Sequence, residues 1–267
     1  MSGKHQEGAD PRLGIAMLGF STICFGIACF LQRDFTSFWQ PVPEWFPLRQ
    51  PLAFASAAAL VLSGAALFFE RTRKIAAIVQ VGLFLAYALS WLSVLPERQP
   101  WLGIAEHLAI VAGAATIWAR LSPEAASRIG FGPIPVRIVL GCCSIIFALA
   151  HFVFADATAK MVPTWIPGTP LFWALFTGVG HLAVGLALIS GVLAVLSTRM
   201  AALMYLCFAA LAWAPGAFTH PDQWLRWAGI AITLSMLSGV WLVGDYLKLA
   251  AARRREGGTG IEALAAA

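Results

Sequence analysis

Residues 41–47 read Pro-Val-Pro-Glu-Trp-Phe-Pro, and residues 161–167 read Met-Val-Pro-Thr-Trp-Ile-Pro. Five of the seven positions match or nearly match, and each copy lies between two long apolar runs. A loop rich in proline and tryptophan that recurs in the same setting, about half a chain apart, indicates an internal duplication. Because the flanking runs have the same order, we expect a parallel repeat rather than two unrelated domains.

The composition predicts that the chain lies in a lipid bilayer. Hydrophobic residues make up 60% of the 267 residues, charged residues make up 12%, and the mean hydropathy is +0.78. A typical soluble domain has about 25% charged residues, roughly twice the fraction found here. The net charge of +5 does not indicate nucleic-acid binding, because the basic residues cluster at the ends of the apolar runs and form no single patch.

Eight apolar runs are long enough to cross a bilayer, since a span needs about 20 apolar residues. The runs are continuous and do not alternate, which favours helices, and a helix satisfies its own backbone hydrogen bonds in lipid. The predicted fold class is therefore an all-α membrane protein with eight transmembrane helices arranged as two parallel four-helix repeats. The predicted spans are 13–31, 51–69, 75–94, 102–119, 137–155, 170–195, 200–218 and 225–247.

The domain organisation follows from these spans. The first repeat covers residues 1–120, and the second covers residues 137–249. An even number of spans in each repeat gives both copies the same orientation in the membrane. Residues 121–136 carry proline, glycine and charge, which predicts a cytoplasmic linker. The basic tail, residues 250–267, is predicted to be disordered and cytoplasmic.

The distribution of basic residues predicts cytoplasmic N- and C-termini. Of the 18 lysines and arginines, thirteen fall in one set of interhelical segments and termini, and five fall in the other set. The richer set faces the cytoplasm in membrane proteins, which places both Pro/Trp loops outside. The alanine- and arginine-rich composition is typical of bacteria, so the expected location is the bacterial inner membrane. The poorer set consists of Arg33, Arg49, Arg98, Lys160 and Arg226.

The second Pro/Trp loop and the helix after it resemble the DoxX-like family of membrane proteins. The loop reads Val-Pro-Thr-Trp-Ile-Pro over residues 162–167, and the helix reads Thr-Gly-Val-Gly-His-Leu-Ala-Val-Gly over residues 177–185. In the first repeat the match is weaker, because the segment from Ala57 to Gly64 lacks an ionisable residue. The resemblance extends over nearly the whole chain and implies two fused copies of a four-helix unit.

The resemblance also implies a class of function. The namesake of the family resembles a subunit of a membrane thiosulfate:quinone oxidoreductase, and other relatives act in redox homeostasis or as cargo receptors. We therefore expect a membrane subunit that binds a quinone or another small hydrophobic molecule and works with a soluble oxidoreductase partner. No catalytic residue is assigned, and we do not expect the chain to be an enzyme on its own.

Two other functions stay open at this point. A small-molecule transporter with eight helices in two parallel halves would place a substrate path between the halves. Pro215-Gly216 is the helix break that would suit the discontinuous helix of such a transporter. A membrane scaffold or cargo-binding protein would instead use the outer Pro/Trp loops to bind a partner.

Ionisable side chains within the spans are the best candidates for ligand-binding residues. His181 lies near the middle of its span and shares a helix face with Gly178 and Gly185, so we expect it to point into the bundle. His151 lies near the outer end of span five, and Glu106 lies in the outer half of span four. We hypothesise that Glu106, His151 and His181 form one polar centre, because a carboxylate within a membrane needs a partner.

Each candidate also has an alternative interpretation. His181 can be an interhelical hydrogen-bonding residue, or it can be part of a ligand, quinone or proton site. The predicted depths of His151 and His181 differ, which argues against a shared haem iron. No spacing of cysteines predicts a metal site. Trp165 is the fourth predicted ligand-binding residue, although an indole at this position is also typical of an aromatic belt.

Overall fold

The chain folds into helices, as predicted for an all-α protein. The structure is a computed structural model that describes residues 11–94 and 100–265, with side chains as far as Arg255. In these residues there is no β-strand. A 3-10 turn covers Trp91–Val94, and a π-helical segment covers Phe208–Trp213. The α-helices are α1 (Arg12–Gln32), α2 (Arg49–Ala66), α3 (Glu70–Ser90), α4 (Trp101–Leu121), α5 (Pro123–Arg128), α6 (Pro133–Val153), α7 (Ala155–Ala159), α8 (Pro170–Ser190), α9 (Ala194–Cys207), α10 (Ala214–Thr219) and α11 (Trp224–Ala265).

Seven helical segments of the described chain are long and apolar enough to cross a membrane, which indicates a multi-pass membrane protein. The remaining predicted span, 51–69, coincides with α2. That helix has 18 residues and begins with Arg49, Gln50 and Pro51, which lower its hydropathy. The count of eight spans therefore stays a prediction. The seven segments are Arg12–Gln32, Glu70–Val94, Trp101–Leu121, Pro133–Val153, Pro170–Ser190, Ala194–Thr219 and Trp224–Arg255.

Two of the predicted boundary segments contain helices. The predicted linker, residues 121–136, includes the short helix α5, and α6 already begins at Pro133. Proline is favoured in the first turn of a helix, because the missing N–H has no intrahelical partner there. At the other end of the second repeat, α11 continues past residue 249 to Ala265.

The helix α11 lies at the centre of the bundle. It packs against α1, α4 and α9, and it makes a smaller contact with α6. In its most apolar stretch 78% of the residues are buried, against 61% or less in the other candidate spans. On either side of α11, α1 packs on α2, α3 packs on α4, and α6 packs on α8. The candidate site described below lies where α6, α8 and α9 meet.

The central helices α4 and α11 approach so closely that their backbones touch. A Cβ atom at Gly113 would overlap the Cα atom of Gly239, and a Cβ atom at Gly239 would lie 2.6 Å from the carbonyl oxygen of Ala109. Real Cβ contacts are longer than this, so only glycine fits at the crossing. Small residues at such crossings let helices in membranes gain van der Waals contact.

Both Pro/Trp loops lie at one end of the bundle, which we call the Pro/Trp end. Aromatic contacts there link the two halves of the chain. The rings of Trp39 and Trp213 have centroids 5.6 Å apart, and those of Trp101 and Phe154 are stacked with centroids 5.9 Å apart. Trp39 and Trp101, from the first half of the chain, thus contact Trp213 and Phe154 from the second half.

An ion pair that was not predicted from the sequence joins α9 to α11 at the end of the bundle opposite the Pro/Trp end. Arg199 donates to the carboxylate of Asp245 and to the carbonyl oxygen of Trp241, and its guanidinium lies 4.0 Å from the centroid of the Trp241 ring. Asp245 is buried, and the side chain of Arg199 is 23% exposed. The attraction between the two side chains offsets part of the desolvation free energy that each buried charge would cost alone.

The helix break predicted at Pro215-Gly216 takes the form of a π-helical segment. Pro215 has no N–H to donate, and its ring crowds the carbonyl group four residues earlier. The preceding residues, Phe208–Trp213, widen into π-helix before α10 begins at Ala214. The chain stays helical from Ala194 to Thr219, so the break is a local widening of the helix. Segments of this kind are frequent at functional sites.

We expect the substitution Gly113→Ala to destabilise the protein by about 1–3 kcal/mol, because the added methyl group meets backbone atoms that cannot move aside cheaply. Thermal unfolding in mild detergent measures the effect. Gly82→Ala is the matched control, since a Cβ atom at Gly82 has no atom within 4 Å. The control should be neutral or slightly more stable. Equal shifts in both variants would show that the crossing of α4 and α11 is not close.

The Arg199–Asp245 pair gives a second prediction. Asp245→Asn should lower the free energy of unfolding by roughly 3 kcal/mol, because it leaves the charge of Arg199 without its partner. In the double variant Arg199→Leu/Asp245→Leu no charge remains, so most of this loss should be recovered. Thermal unfolding of the three proteins decides the matter. If the double variant is less stable than Asp245→Asn, the two residues are not coupled in this way.

Candidate functional site

Two of the predicted ligand-binding residues, His151 and His181, lie side by side between α6 and α8. Their ring centroids are 4.9 Å apart, and His181 is 1% exposed. Gly178 and Gly185 lie on the same buried face of α8. A Cβ atom at Gly178 would lie 2.9 Å from the Cβ atom of His151. The prediction that His181 points into the bundle is therefore confirmed.

The predicted difference in depth between the two histidines is wrong. His151 lies in the last turn of α6, and His181 lies in the middle of α8, yet their rings are adjacent. The reason is that α8 begins at Pro170, eight residues before the glycine that contacts His151. At 1.5 Å per residue, this places the start of α8 about 12 Å from that contact, towards the Pro/Trp end. The two rings are tilted by 50° with centroids 4.9 Å apart, a separation too short for a porphyrin between them.

Aromatic side chains from α6, α9 and the π-helical segment surround the two imidazole rings. The centroid of His181 lies 5.4 Å from that of Phe147 and 5.7 Å from that of Tyr205. The ring of Phe208 lies 6.0 Å from both histidines and is stacked on His151. We call these five residues the histidine cluster: Phe147, His151, His181, Tyr205 and Phe208.

Hydrogen bonds fix the proton position on one histidine and leave two other polar atoms unpaired. Nδ1 of His151 lies 2.9 Å from the carbonyl oxygen of Phe147. Since a carbonyl group only accepts, this nitrogen carries the proton, and Nε2 of the neutral ring is an acceptor. Nδ1 of His181 and the hydroxyl of Tyr205 are buried without a hydrogen-bond partner among the described residues. Buried polar groups in proteins normally have partners, so these two atoms point to a bound molecule.

Glu106 lies on α4, outside the helices that supply the histidine cluster. It is half-buried on α4, the helix that packs against α6, and it interacts electrostatically with the Tyr205 hydroxyl. Glu106 makes no hydrogen bond or ion pair with either histidine in the part of the chain that the structure describes. The hypothesis of one polar centre is thus supported for His151 and His181, which are in contact. The carboxylate lies at the margin of this centre.

Tyr205, which was not among the predicted ligand-binding residues, packs beside His181 with ring centroids 5.7 Å apart. A single tyrosine within an apolar run is usually a packing residue, so no sequence signal marked it. The buried thiol of Cys143 on α6 also interacts electrostatically with the Tyr205 hydroxyl. Tyr205 therefore has polar neighbours from three different helices, and only the tertiary structure brings them together.

Trp165, the fourth predicted ligand-binding residue, lies apart from the histidine cluster. It is 66% exposed on the second Pro/Trp loop, and Trp45 on the first loop is 78% exposed. Exposed indoles at the ends of apolar helices are typical of the membrane interface. The loop is held instead by Trp173, whose Nε1 donates a 2.7 Å hydrogen bond to the carbonyl oxygen of Pro167.

The described residues contain no group of three or more histidine, cysteine or carboxylate side chains that would hold a metal ion. One apolar groove of about 400 Å³ runs between α1, α9 and α11. It is lined on α9 by Leu203 and Leu206, on other sides of that helix from Tyr205. It is therefore separate from the histidine cluster, and its size and apolar lining suit a lipid chain.

Comparison with known proteins gives no family assignment. The chain matches no protein-family model, and no curated protein and no solved structure is significantly similar to it. The functional inference therefore depends on the geometry of the histidine cluster and on the sequence motifs, and membership of the DoxX-like family stays an expectation.

Proposed function

We propose that this multi-pass membrane protein binds a small lipophilic molecule with a hydrogen-bonding head group, of the quinone class, at the histidine cluster. One observation carries the proposal: Nδ1 of His181 and the hydroxyl of Tyr205 are buried beside a second histidine, and neither has a hydrogen-bond partner among the residues that the structure describes. The resemblance of the Pro/Trp loops to the DoxX-like family supports the same function, because the namesake of that family resembles a quinone-linked subunit.

The chemistry of the cluster suits a quinone or quinol. Nε2 of His151 can accept a hydrogen bond from a quinol hydroxyl, and the Tyr205 hydroxyl can donate to a quinone carbonyl. Phe147 and Phe208 offer ring faces and edges for a planar head group. As a membrane subunit of a redox system, the chain would hold the quinone, and a soluble oxidoreductase partner would exchange electrons with it.

We also propose that the bundle consists of two parallel copies of one four-helix unit, with α2 and α8 as equivalent spans. The order of packing supports this. In the first copy α1 packs on α2 and α3 on α4, and in the second α6 packs on α8 and α9 on α11. Between the copies, α1 packs on α11 and α6 packs on α4. A two-fold axis along the membrane normal requires such reciprocal contacts.

Two details of packing recur in both proposed copies and support the duplication. A Cβ atom at Gly64 would lie 2.8 Å from the carbonyl oxygen of Gly19, and one at Gly185 would lie 3.0 Å from that of Gly141. The indole of Trp91 also covers Gly103, in the same way that the indole of Trp213 covers Gly229. Each of these contacts joins corresponding helices of the two copies.

The location and orientation are part of the proposal. With eight spans, both termini lie on the cytoplasmic side of the bacterial inner membrane, and the Pro/Trp end faces outwards. The imbalance of basic residues supports this orientation.

A small-molecule transporter is the second candidate function, and one observation favours it. The π-helical segment contributes Phe208 to the histidine cluster, so a shift of this segment would change the access to both histidines. π-helical segments occur frequently at functional sites, including sites where a helix must change its winding. A quinone-binding subunit and a transporter would therefore both bind their ligand at the histidine cluster. They would differ in whether the π-helical segment moves.

Quinone binding gives a direct prediction. We expect His181→Phe to weaken the binding of a short-chain ubiquinone analogue to the purified protein about tenfold, because the loss of one buried hydrogen bond costs about 1–1.5 kcal/mol. The substitution keeps an aromatic ring in the same place. His220→Gln, on an exposed histidine at the Pro/Trp end, is the control and should bind as the parent does. Equal affinity in all three proteins would refute a quinone site at His181.

The orientation is tested by labelling single cysteines with a membrane-impermeant maleimide in a chain whose own five cysteines are replaced. We expect Trp165→Cys, in the second Pro/Trp loop, to be labelled in intact spheroplasts. Ser127→Cys, in the predicted linker, should be labelled only after the membrane is permeabilised. Both positions are exposed in the folded chain, so burial would not mask either result. The reverse pattern would invert the proposed topology.

A further inference from the structure

A second group of buried polar side chains lies in the first half of the chain, outside the histidine cluster. Cys29 comes from α1, Gln40 from the connection between α1 and α2, Tyr87 from α3, and His107 from α4. None of them is more than 4% exposed. We call these four residues the first-half polar site.

Gln40 presents two unpaired N–H donors to this site. Its Oε1 accepts hydrogen bonds from the backbone N–H of Thr36 at 3.0 Å, from the Thr36 hydroxyl at 3.1 Å and from the Cys29 thiol at 3.6 Å. A backbone N–H can only donate, so these bonds fix which end of the amide is the oxygen. The amide nitrogen Nε2 is buried and has no hydrogen-bond partner among residues 11–94 and 100–255.

His107 presents an unpaired acceptor. Its Nδ1 lies 2.6 Å from the carbonyl oxygen of Gly103, so Nδ1 carries the proton. The ring is fully buried among apolar helices, where a charged imidazolium without a partner would be costly. In the neutral ring Nε2 is therefore a hydrogen-bond acceptor. This nitrogen is also buried without a hydrogen-bond partner in the described part of the chain.

Tyr87 connects these two side chains. Its ring centroid lies 5.9 Å from that of His107 in an edge-to-face arrangement, and Phe84 packs against both rings. The hydroxyl of Tyr87 interacts with the side chains of Gln40 and Ser56, but it makes no hydrogen bond of normal geometry with the described residues. A donor, an acceptor and a hydroxyl thus come from three chain segments, and none of them makes a hydrogen bond of normal geometry with a described residue.

We propose that the first-half polar site binds a hydroxyl group, which accepts a hydrogen bond from Nε2 of Gln40, donates one to Nε2 of His107, and makes a third to the hydroxyl of Tyr87. A carbonyl group would leave the histidine nitrogen unpaired, and a cation would meet the N–H groups of the amide. Two sources carry a hydroxyl: a water molecule, and the head group of a lipophilic alcohol or quinol. A polar site with three partners suits either of them.

The proposal is independent of the proposed function, because no residue of the histidine cluster takes part in it. A failure of quinone binding at His181 leaves the first-half polar site unaffected. Conversely, substitutions at Tyr87 and His107 leave the contacts of His151 and His181 in place.

The decisive variant is Tyr87→Phe, which removes only the hydroxyl. A bound hydroxyl group would lose a partner, so we expect the midpoint of thermal unfolding in detergent to fall by about 2–4 °C. If nothing pairs with Tyr87, the removal of an unpaired buried hydroxyl leaves the midpoint unchanged or raises it, and the proposal is overturned. Tyr246→Phe, on a half-buried tyrosine far along α11, is the control for the loss of a tyrosine hydroxyl.

Two measurements on the purified full chain distinguish the sources. X-ray hydroxyl-radical footprinting should oxidise Tyr87 at a rate typical of exposed tyrosines if a water molecule lies beside it. Native mass spectrometry should instead find a stoichiometric adduct, lost in His107→Phe, if the hydroxyl belongs to an organic molecule. Either result supports the proposal. Protection of Tyr87 together with the absence of an adduct would overturn it.

Discussion

The backbone contact between Gly113 and Gly239 sets the relative position of the two central helices, and the other helices pack around this pair. Because α4 and α11 touch without side chains between them, α11 can also pack against α1 and α9. In lipid no hydrophobic effect drives helices together, so close van der Waals packing at small residues has to supply the association. A larger residue at either position would separate α4 from α11 and disturb the surroundings of both polar sites.

The helix α4 serves both polar sites with consecutive residues. Glu106 interacts electrostatically with Tyr205 of the histidine cluster, and His107 belongs to the first-half polar site. Successive residues of an α-helix are about 100° apart around the axis, so neighbours in sequence face different partner helices. Because α4 packs against both α3 and α6, these two neighbouring residues lie in separate polar environments. Both environments contain a buried histidine and a buried tyrosine with unpaired atoms.

Particular residues show how far the sequence allowed the site to be predicted. The spacing of Gly178, His181 and Gly185 was sufficient to place His181 inside the bundle, because three residues on one helix face share one environment. The same spacing did not predict the contact with His151. That contact depends on how far α8 is shifted along α6, which is set by the connection between the two helices. Tyr205, Gln40 and Asp245 carried no signal, because their polar neighbours come from distant parts of the chain. Trp165 was grouped with the histidines, but it lies exposed on its loop.

The sequence by itself determined that the chain is helical and apolar, where the long helices lie along it, and which face of α8 is buried. These properties depend on local composition and on the periodicity of the helix, which act within one segment. The tertiary structure alone decided that His151 meets His181, that Tyr205 packs beside His181, and that Arg199 pairs with Asp245. Those contacts depend on how far each helix is shifted along its neighbours, and the shift is set by packing between segments that are remote in sequence.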